Sequence, residues 1–191
     1  VLSGGVGKID LLPSVENRNG GFWAELEYRY VIGGEELPLR KAFVLPGETK
    51  FVSELGASSG FGASAEFRIE RRLWHRVDLQ GARSASEFAE ARLAIRAENP
   101  VYAPSDPLAT TPVSRAAFTL VNSSAFGYYD VNLLVLLYRG DAVVGVNRAS
   151  LDVLAAGERK NMEIFWYQLL PQVTKVEVVP DLNIYDPYAY R

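Results

Sequence analysis

NSSAFGYYDVNLLVLLYRGDAVVGV runs from Asn122 to Val146, and NRNGGFWAELEYRYVIGGEELPL runs from Asn17 to Leu39. Both stretches hold an asparagine, an aromatic residue a few positions later, a long run in which apolar and polar side chains alternate, and a glycine turn. Alternation with a period of two is typical of a β-strand that buries one face. The chain therefore contains a tandem repeat whose units are built from strands.

The repeat extends further along the chain when Asn17 is aligned with Asn122. The other matched features are two aromatic positions, a turn and a Gly-Glu step: Phe22 with Phe126, Tyr30 with Tyr138, Gly33-Gly34 with Gly140-Asp141, and Pro46-Gly47-Glu48 with Ala156-Gly157-Glu158. We predict that the two asparagines are structurally equivalent. Each is expected to end a strand and to bond the backbone of the loop that follows.

Short strands separated by turns predict an all-β chain. Turn signals such as Gly33-Gly34 and Pro46-Gly47 recur between the alternating runs, and glycine supplies the positive φ that tight turns need. Only SASEFAEAR, residues 84–92, has a helical pattern. We therefore expect two tandem antiparallel immunoglobulin/fibronectin-like β-sandwiches, residues 1–80 and 81–191. The alternative is that the proline-rich segment 100–112 is the linker between them.

The alternating runs also predict which side chains form the two cores. The expected core residues are Phe22, Leu26, Tyr30, Phe67 and Ile69 in the first sandwich, and Val131, Leu133, Val135, Leu137 and Ile164 in the second. On the opposite face of the second sandwich's long strand, Asp130 and Asn132 are polar but Leu134 and Leu136 are apolar. We therefore expect the far end of this strand to be covered on both faces.

The composition excludes several functional classes. The 191 residues are 48% hydrophobic, enough for one large or two small cores, and the net charge of −3 gives no general attraction to nucleic acid. The absence of cysteine rules out disulfides, thiol nucleophiles and cysteine metal sites. The longest apolar run, Leu133 to Tyr138, is too short to cross a bilayer. A globular protein without nucleic-acid binding is expected.

The sequence contains no pattern of a known catalytic centre. His75 is the single histidine, so a serine triad would have to centre on it, and no Gly-x-Ser-x-Gly elbow is present. The arginines near it alternate with acidic residues along one expected strand face: Glu66, Arg68, Glu70, Arg72, Trp74, Arg76 and Asp78. Such alternation of sign is typical of a solvated strand. We therefore expect no enzyme, and no catalytic residue, metal or cofactor.

Aromatic and arginine side chains mark a candidate interaction surface. The tail 185–190 carries three tyrosines after the last expected strand, and tyrosine gives a large contact area at little conformational cost. The candidate interaction residues are Trp74, Arg76, Tyr185, Tyr188 and Tyr190. The alternative for the tail is that it folds back and covers its own sandwich, at the apolar patch of Leu134 and Leu136.

The second copy resembles the FxLYD-type domains. Residues 135–139 match the Phe-x-Leu-Tyr-Asp signature at Leu137 and Tyr138, whereas valine stands in place of phenylalanine and arginine in place of aspartate. These domains are related to the late-embryogenesis-abundant sandwiches and have a fibronectin-like seven-stranded fold. The resemblance covers residues 114–180 well and residues 9–74 loosely. It implies a bacterial protein that is exported or membrane-tethered and has no known activity.

The leading hypothesis is a non-enzymatic scaffold or protein-interaction module outside the cytoplasm, in the cell envelope. We expect a protein partner or self-association, and contact with a membrane only through a segment upstream of Val1. The alternative is a module that binds glycan or peptidoglycan through exposed aromatics such as Trp23, Trp74 or Trp166. That function requires at least two aromatic rings exposed side by side.

The first sandwich is expected to lack its opening strand. The second has a candidate opening strand at residues 92–98, whereas the first has only the glycine-rich VLSGGVG, residues 1–7. Glycine weakens a strand because it adds backbone entropy and no packing side chain. Since proteins normally cover or pair an open strand edge, we hypothesise that upstream residues or a neighbouring chain complete this edge. The first sandwich would then be a docking site.

Overall fold

The computed structural model describes residues 1–58, 64–106 and 108–190. Strands make up 58% of the chain and helix 4%, in several antiparallel sheets, which confirms the expected all-β, sandwich-type fold. The chain forms two compact units, Val1–Ala85 and Ser86–Arg191. The proline-rich segment 100–112 lies inside the second unit, and its residue 107 is outside the described residues. In the part described, no helix is long and apolar enough to span a membrane.

The strands of the first unit pair in two groups. They are β1 (Leu2–Ser3), β2 (Lys8–Leu11), β3 (Ser14–Glu16), β4 (Phe22–Ile32), β5 (Glu35–Glu36), β6 (Arg40–Val44), β7 (Thr49–Phe51), β8 (Glu54–Ser58) and β9 (Ala65–Arg76). In one group β4 pairs with β9 on one side and with β5 and β6 on the other. In the other group the order is β1-β2-β8. After β2 the chain passes through Pro13 into β3, which pairs with β7. The C=O of Pro13 accepts the N–H of Val52 at 2.9 Å.

Helix α1 (Ala85–Arg92) begins at the boundary between the units and confirms the helix expected at residues 84–92. Longer strands follow: β10 (Ile95–Ala103), β11 (Ser114–Asn122), β12 (Tyr128–Arg139), β13 (Ala142–Leu154), β14 (Arg159–Trp166) and β15 (Lys175–Asp181). They form two antiparallel sheets with the orders β10-β11-β14 and β13-β12-β15. The second unit therefore has long strands where the first unit has broken ones.

The two units repeat the same strand order. Strand β1 corresponds to β10, β2 and β3 to β11, β4 to β12, β5 and β6 to β13, β7 and β8 to β14, and β9 to β15. The pairing register also agrees, because Val15 lies opposite Lys50 on β3 and β7, and Leu120 lies opposite Lys160 on β11 and β14. The structure therefore confirms the tandem repeat.

Asn17 anchors the first unit where β3 ends. Its Nδ2 donates to the C=O of Phe22 at 2.8 Å and to the C=O of Leu45 at 3.0 Å. Its backbone N–H donates to the C=O of Glu48 at 2.9 Å. The Glu48 carboxylate in turn accepts the N–H of Leu45 at 2.6 Å. One side chain thus holds together the end of a strand, the following loop and the next turn.

Asn122 makes the same set of bonds in the second unit. Its Nδ2 donates to the C=O of Phe126 at 2.7 Å and to the C=O of Ala155 at 2.9 Å. Its backbone N–H donates to the C=O of Glu158 at 3.0 Å, and the Glu158 carboxylate accepts the N–H of Ala155 at 2.7 Å. The predicted equivalence of the two asparagines is therefore confirmed.

The expected cores are confirmed except at one residue. All five residues expected in the second core belong to one buried cluster. In the first unit Leu26 and Tyr30 are buried, and Phe67 and Ile69 are packed against the core. Phe22 is 37% exposed, so its assignment to the core was wrong: it is the first residue of β4, beyond the covered part of the sheet. On the other face of β12, Leu134 and Leu136 are buried as expected.

Candidate functional site

Strand β9 places Trp74 on the inward face of the first unit. Trp74 lies opposite Ala24 of β4, and cross-strand partners share a face of a sheet. Ala24 is 2% exposed and belongs to a core cluster with Leu26 and Val44, yet Trp74 is 49% exposed. An inward-facing tryptophan is therefore open to solvent at this end of the sheet.

A bulge in β9 overturns the single charged face expected for residues 66–78. The pairing of β9 with β4 shifts register at Glu70, which is the extra residue on β9. A one-residue slip exchanges the two faces of a strand. The residues after the bulge therefore join the inward face: Arg72, Trp74 and Arg76. Both arginines are exposed there.

Two arginines near the bulge on the outward face, Arg68 and Arg29, are paired with acidic residues, as on a solvated strand. Arg68 Nη2 is 2.9 Å from Glu66 Oε2, and Arg29 Nε of β4 is 3.0 Å from Glu70 Oε1. The hydrogen bond from Arg68 holds the pKa of Glu66 below its usual range. These charges compensate one another, so an anion-binding patch is not favoured at this position.

The sheet edge formed by β3 is open. Strand β3 pairs with β7 on one side, and within the described residues no strand pairs with its other side. Strand β1 reaches only β2, with Leu2 opposite Asp10 and Ser3 opposite Ile9. Beside this edge lies a cavity of about 190 Å³, lined by Val1, Leu11, Leu12, Pro13, Tyr30, Ala65, Glu66 and Phe67.

The second unit closes the corresponding edge. Strand β10 pairs along β11 from Ile95 opposite Asn122 to Ala103 opposite Arg115. It also contacts β15, the counterpart of β9. Residues of β15 are partly covered along almost the whole strand, whereas β9 is exposed at most positions. Strand β1 corresponds only to the end of β10. Leu2 lies opposite Asp10, the counterpart of Arg115, and Arg115 lies opposite Ala103, the last residue of β10.

His75 and the other two tryptophans lie in packed surroundings. The His75 ring stacks on Trp23 with 4.2 Å between centroids, and its Nε2 is 3.3 Å from Glu25 Oε1. Trp166 is 2% exposed and its indole N–H donates to the C=O of Val146 at 3.1 Å. Trp23 is also buried. Of the three tryptophans, all within the described residues, only Trp74 is exposed.

The tyrosine tail packs on its own unit. Tyr185 stacks on Phe88 of α1 with centroids 5.0 Å apart, and Tyr190 packs edge-on against Phe126 at 5.2 Å. Tyr188 is 87% exposed. Two of the three candidate tyrosines therefore cover α1 and the loop before β12, and one faces solvent. The tail therefore folds back on its own unit, where Tyr185 contacts α1 and Tyr190 contacts the loop before β12.

Two acidic residues are buried in the first unit without a signal in the sequence. Asp10 Oδ1 accepts the N–H of Gly56 at 2.7 Å, and burial raises the pKa of Asp10 despite this bond. Glu54 is buried with its Oε1 2.7 Å from Arg40 Nη2. Among the described residues, no group of three or more histidine, aspartate or glutamate side chains is arranged to hold a metal.

No protein-family model and no curated protein matches this chain. The resemblance to FxLYD-type domains therefore rests on the sequence motif, which lies in β12. There Leu137 is fully buried and Tyr138 is partly exposed. The candidate site is therefore defined by geometry: the open edge of β3, the cavity beside it, and the exposed end of β9. In the sequence Pro13 marks the break between β2 and β3, because proline cannot donate to a strand ladder.

Proposed function

We propose that the protein is a non-enzymatic protein-interaction module or scaffold. The observation that carries this function is the open inward face of β9, where Trp74 is 49% exposed. Arg72 and Arg76 flank it on the same face. Tryptophan and arginine are enriched among the residues that dominate binding energy at protein interfaces. An exposed aromatic residue flanked by arginines on one face of a sheet favours a protein partner.

The proposed setting is the bacterial cell envelope outside the cytoplasm, with a tether upstream of Val1. This part of the proposal rests on the resemblance at Leu137 and Tyr138 to FxLYD-type domains, which are typically exported or membrane-tethered. Protease treatment of spheroplasts that produce the complete gene product with a carboxyl-terminal tag tests it. We expect the tag to be degraded in intact spheroplasts. A tag that survives until the cells are lysed contradicts the setting.

A photo-crosslinking amino acid at position 74 tests the interaction. Irradiation of cells that produce this variant is expected to trap one defined protein. The same amino acid at Tyr167, which is 69% exposed after β14, is the matched control and is expected to trap none. The absence of a specific adduct at position 74, or the same adducts at both positions, contradicts the proposal.

A module that binds glycan or peptidoglycan is the second candidate. Phe22 and Trp74 favour it, because they are diagonal neighbours on one face of β4 and β9 and both are partly exposed. Sedimentation with purified peptidoglycan distinguishes the two candidates. If glycan is the ligand, the protein sediments, Trp74→Ser abolishes sedimentation and Tyr167→Ser does not. If the unmodified protein stays in solution, this candidate is removed.

A further inference from the structure

The loop that follows the Asn17 anchor contains an Asn-Gly step, Asn19-Gly20. Among the asparagines of the sequence, only Asn19 is followed by glycine. The side-chain carbonyl carbon of an asparagine can react with the backbone nitrogen of the next residue and close a five-membered succinimide ring. A side chain on that next residue hinders the approach, whereas glycine has no Cβ and allows it. Asn19 is therefore the asparagine whose neighbour opposes this reaction least.

The hydrogen bonds of Asn19 orient its side chain and leave the reacting atoms free. Its N–H donates to Asn17 Oδ1 at 2.9 Å, and its Oδ1 accepts the N–H of Gly21 at 3.0 Å. The second bond holds the side-chain carbonyl beside the following backbone and withdraws electron density from its carbon, Cγ. Within the described residues no hydrogen bond engages Asn19 Nδ2 or the N–H of Gly20. The leaving group and the attacking nitrogen are therefore both available.

The loop is open to water and has room for the ring. Asn19 and Gly20 are exposed, and apart from its chain neighbours no heavy atom lies within 4 Å of the place that a Cβ on Gly20 would take. Asn161 is also exposed, but it lies within β14, where its Oδ1 accepts the hydroxyl of Thr119 at 3.0 Å. The extended strand and the side chain of Met162 oppose ring closure there. Asn161 is therefore an internal control.

The second unit keeps the bonds of this loop without the reactive pair. Ser124 lies two residues after Asn122, as Asn19 lies two residues after Asn17. The N–H of Ser124 donates to Asn122 Oδ1 at 3.0 Å, and Ser124 Oγ accepts the N–H of Phe126 at 3.2 Å. A serine followed by alanine thus makes the same two bonds. The structural role of this position in the repeat therefore does not require asparagine followed by glycine.

We propose that Asn19 is a site of spontaneous covalent modification in the folded chain, which converts it to aspartate or isoaspartate. Solvent base takes the proton of the Gly20 N–H while the nitrogen attacks Asn19 Cγ. The N–Cγ bond forms, the Cγ–Nδ2 bond breaks, and ammonia leaves with a proton from water. Water then opens the succinimide. Attack at Cγ gives aspartate, whereas attack at the main-chain carbonyl carbon breaks the bond to the Gly20 nitrogen and gives isoaspartate. Water is the only co-reactant, and the chemistry does not depend on the proposed partner.

Isoaspartate lengthens the backbone of a loop that is held at both ends. Asn17 Nδ2 donates to the C=O of Phe22 at 2.8 Å, and the C=O of Gly21 accepts the N–H of Val77, directly after β9, at 3.0 Å. An added main-chain carbon after position 19 changes the path between these bonds and weakens the Asn17 anchor. Aspartate keeps the backbone, and its carboxylate still accepts the N–H of Gly21. The isoaspartate product therefore loosens the first unit, and the aspartate product does not.

Incubation of the folded full chain in mildly alkaline buffer made with heavy-oxygen water tests the site. Opening of the succinimide incorporates solvent oxygen, so peptide mass spectrometry after digestion in acid counts only the modification that occurred during incubation. Label is expected at Asn19 at least about tenfold faster than at Asn161, the rate ratio for a barrier difference of about 1.4 kcal/mol. Equal labelling of the two asparagines, or labelling of Asn19 only after the chain is denatured, overturns the proposal.

Gly20→Ala is the matched variant for ring closure. Gly20 does not have a positive φ and has space for a Cβ, so this variant is expected to fold. Its label at Asn19 is expected to accumulate as slowly as the label at Asn161. Labelling as fast as in the unmodified chain shows that the Gly20 nitrogen is not the attacking group and overturns the proposal. If Gly20→Ala does not fold, Asn19→Ser, which copies the second unit, is expected to fold and to take up no label at position 19.

The stability of aged protein tests the weakening of the anchor. The isoaspartate fraction, identified with an isoaspartate-specific methyltransferase and isolated by chromatography, is expected to melt below fresh protein. Its amides around Asn17 and Val77 are expected to exchange hydrogen faster, while those around Asn122 are unchanged. Asn19→Asp, which imitates the aspartate product, and aged Asn19→Ser are expected to melt as fresh protein does. An isoaspartate fraction as stable as fresh protein contradicts the weakening of the first unit.

Discussion

At the scale of single residues, two asparagines do the same structural work in the two units. Each is almost fully buried, and each amide donates to two backbone carbonyl groups, one at or just before the start of the next long strand and one in the turn before β7 or β14. An amide suits this position because it offers two donors and an acceptor, and the acceptor of Asn17 takes the N–H of Asn19 at 2.9 Å. Asparagine is therefore required by bonding and not by hydrophobic packing.

Asn17→Ala and Asn122→Ala are each expected to destabilise their own unit. Each leaves at least two carbonyl groups without a donor, and one unsatisfied buried group costs about 1–3 kcal/mol, so a loss of roughly 2–4 kcal/mol is expected. Denaturant unfolding followed by hydrogen exchange assigns the loss to a unit. Asn147→Ala, which removes exposed bonds to the C=O of Phe165 and the N–H of Arg148, is the control and is expected to cost less than about 1 kcal/mol because water can replace both partners. Equal losses in all three contradict the anchor role.

Asp10 gives the first unit a predictable dependence on pH. Burial raises the pKa of its carboxyl above the ordinary value of 3.8, so the folded state binds the proton more tightly than the unfolded state. The stabilising contribution is therefore complete below the unfolded pKa and is lost as pH rises through the folded pKa. Asp10→Asn is expected to raise the melting temperature at neutral pH, with the gain disappearing in acid.

Thermal unfolding of the variant and the unmodified chain at several pH values measures this difference. The Asn side chain keeps an oxygen that accepts the N–H of Gly56, so the bond itself is retained. Asp152→Asn, at an exposed position of β13, is the matched control. A gain that is the same in acid and at neutral pH shows that the charge of Asp10 is not its cause.

At the scale of elements, the carboxyl-terminal tail behaves as part of the second unit. Leu182 and Ile184 are buried, and Tyr185 and Tyr190 pack on α1 and the loop before β12. Its Ala189 C=O accepts the N–H of Tyr129 at 3.0 Å, and Tyr190 forms an antiparallel bridge with Tyr128, so the tail pairs with the first residues of β12. The tail therefore contributes to the stability of the second unit.

A chain that ends at Ile184 is expected to lose stability in the second unit. The truncation removes the partly buried rings of Tyr185 and Tyr190. Complete burial of a large side chain contributes about 1.5–3 kcal/mol, so the free energy of unfolding is expected to fall by roughly 2–4 kcal/mol. Denaturant unfolding measures it. Tyr188→Ser, at a position 87% exposed, is expected to be neutral. If the truncated chain is as stable as the full one, the tail does not contribute to the stability of the second unit and the prediction is wrong.

The bulge in β9 and the exposure of Phe22 are two features that the alternating sequence pattern did not predict. The bulge at Glu70 has no signal in the alternation, because it depends on how β9 pairs with β4 and not on the residues of β9 alone. It moved Trp74 and Arg76 from an expected outer face to the inward one. Phe22 fits the alternating pattern of β4 but lies beyond the covered part of the sheet, so its period predicted the face and not the burial.

At the scale of the whole molecule, the two units differ in how completely their cores are closed. The second has one continuous buried cluster. The first has two small clusters, one around Tyr28 and Tyr30 and one around Leu26 and Val44. The buried clusters of the first unit hold fewer apolar residues, so we expect the first unit to open first.

Hydrogen exchange in native conditions measures this order. Amides of β4 are expected to exchange at least about tenfold faster than those of β12, which corresponds to about 1.4 kcal/mol in opening free energy. Both are central strands of their sheets, so they are a matched pair. Equal protection of β4 and β12 contradicts the expected order.

The sequence by itself determined the all-β class, the tandem repeat and the equivalence of Asn17 with Asn122. These are local properties, since the period of two, the glycine turns and the hydrogen-bonding capacity of asparagine depend on residues that are close together in the sequence. Only the tertiary structure decided that Trp74 faces inward, that Tyr185 and Tyr190 are partly covered, and that among the described residues β3 pairs with β7 alone. These outcomes depend on which strand lies beside or opposite each residue. A pairing partner is a property of the fold, and the pattern along one strand does not contain it.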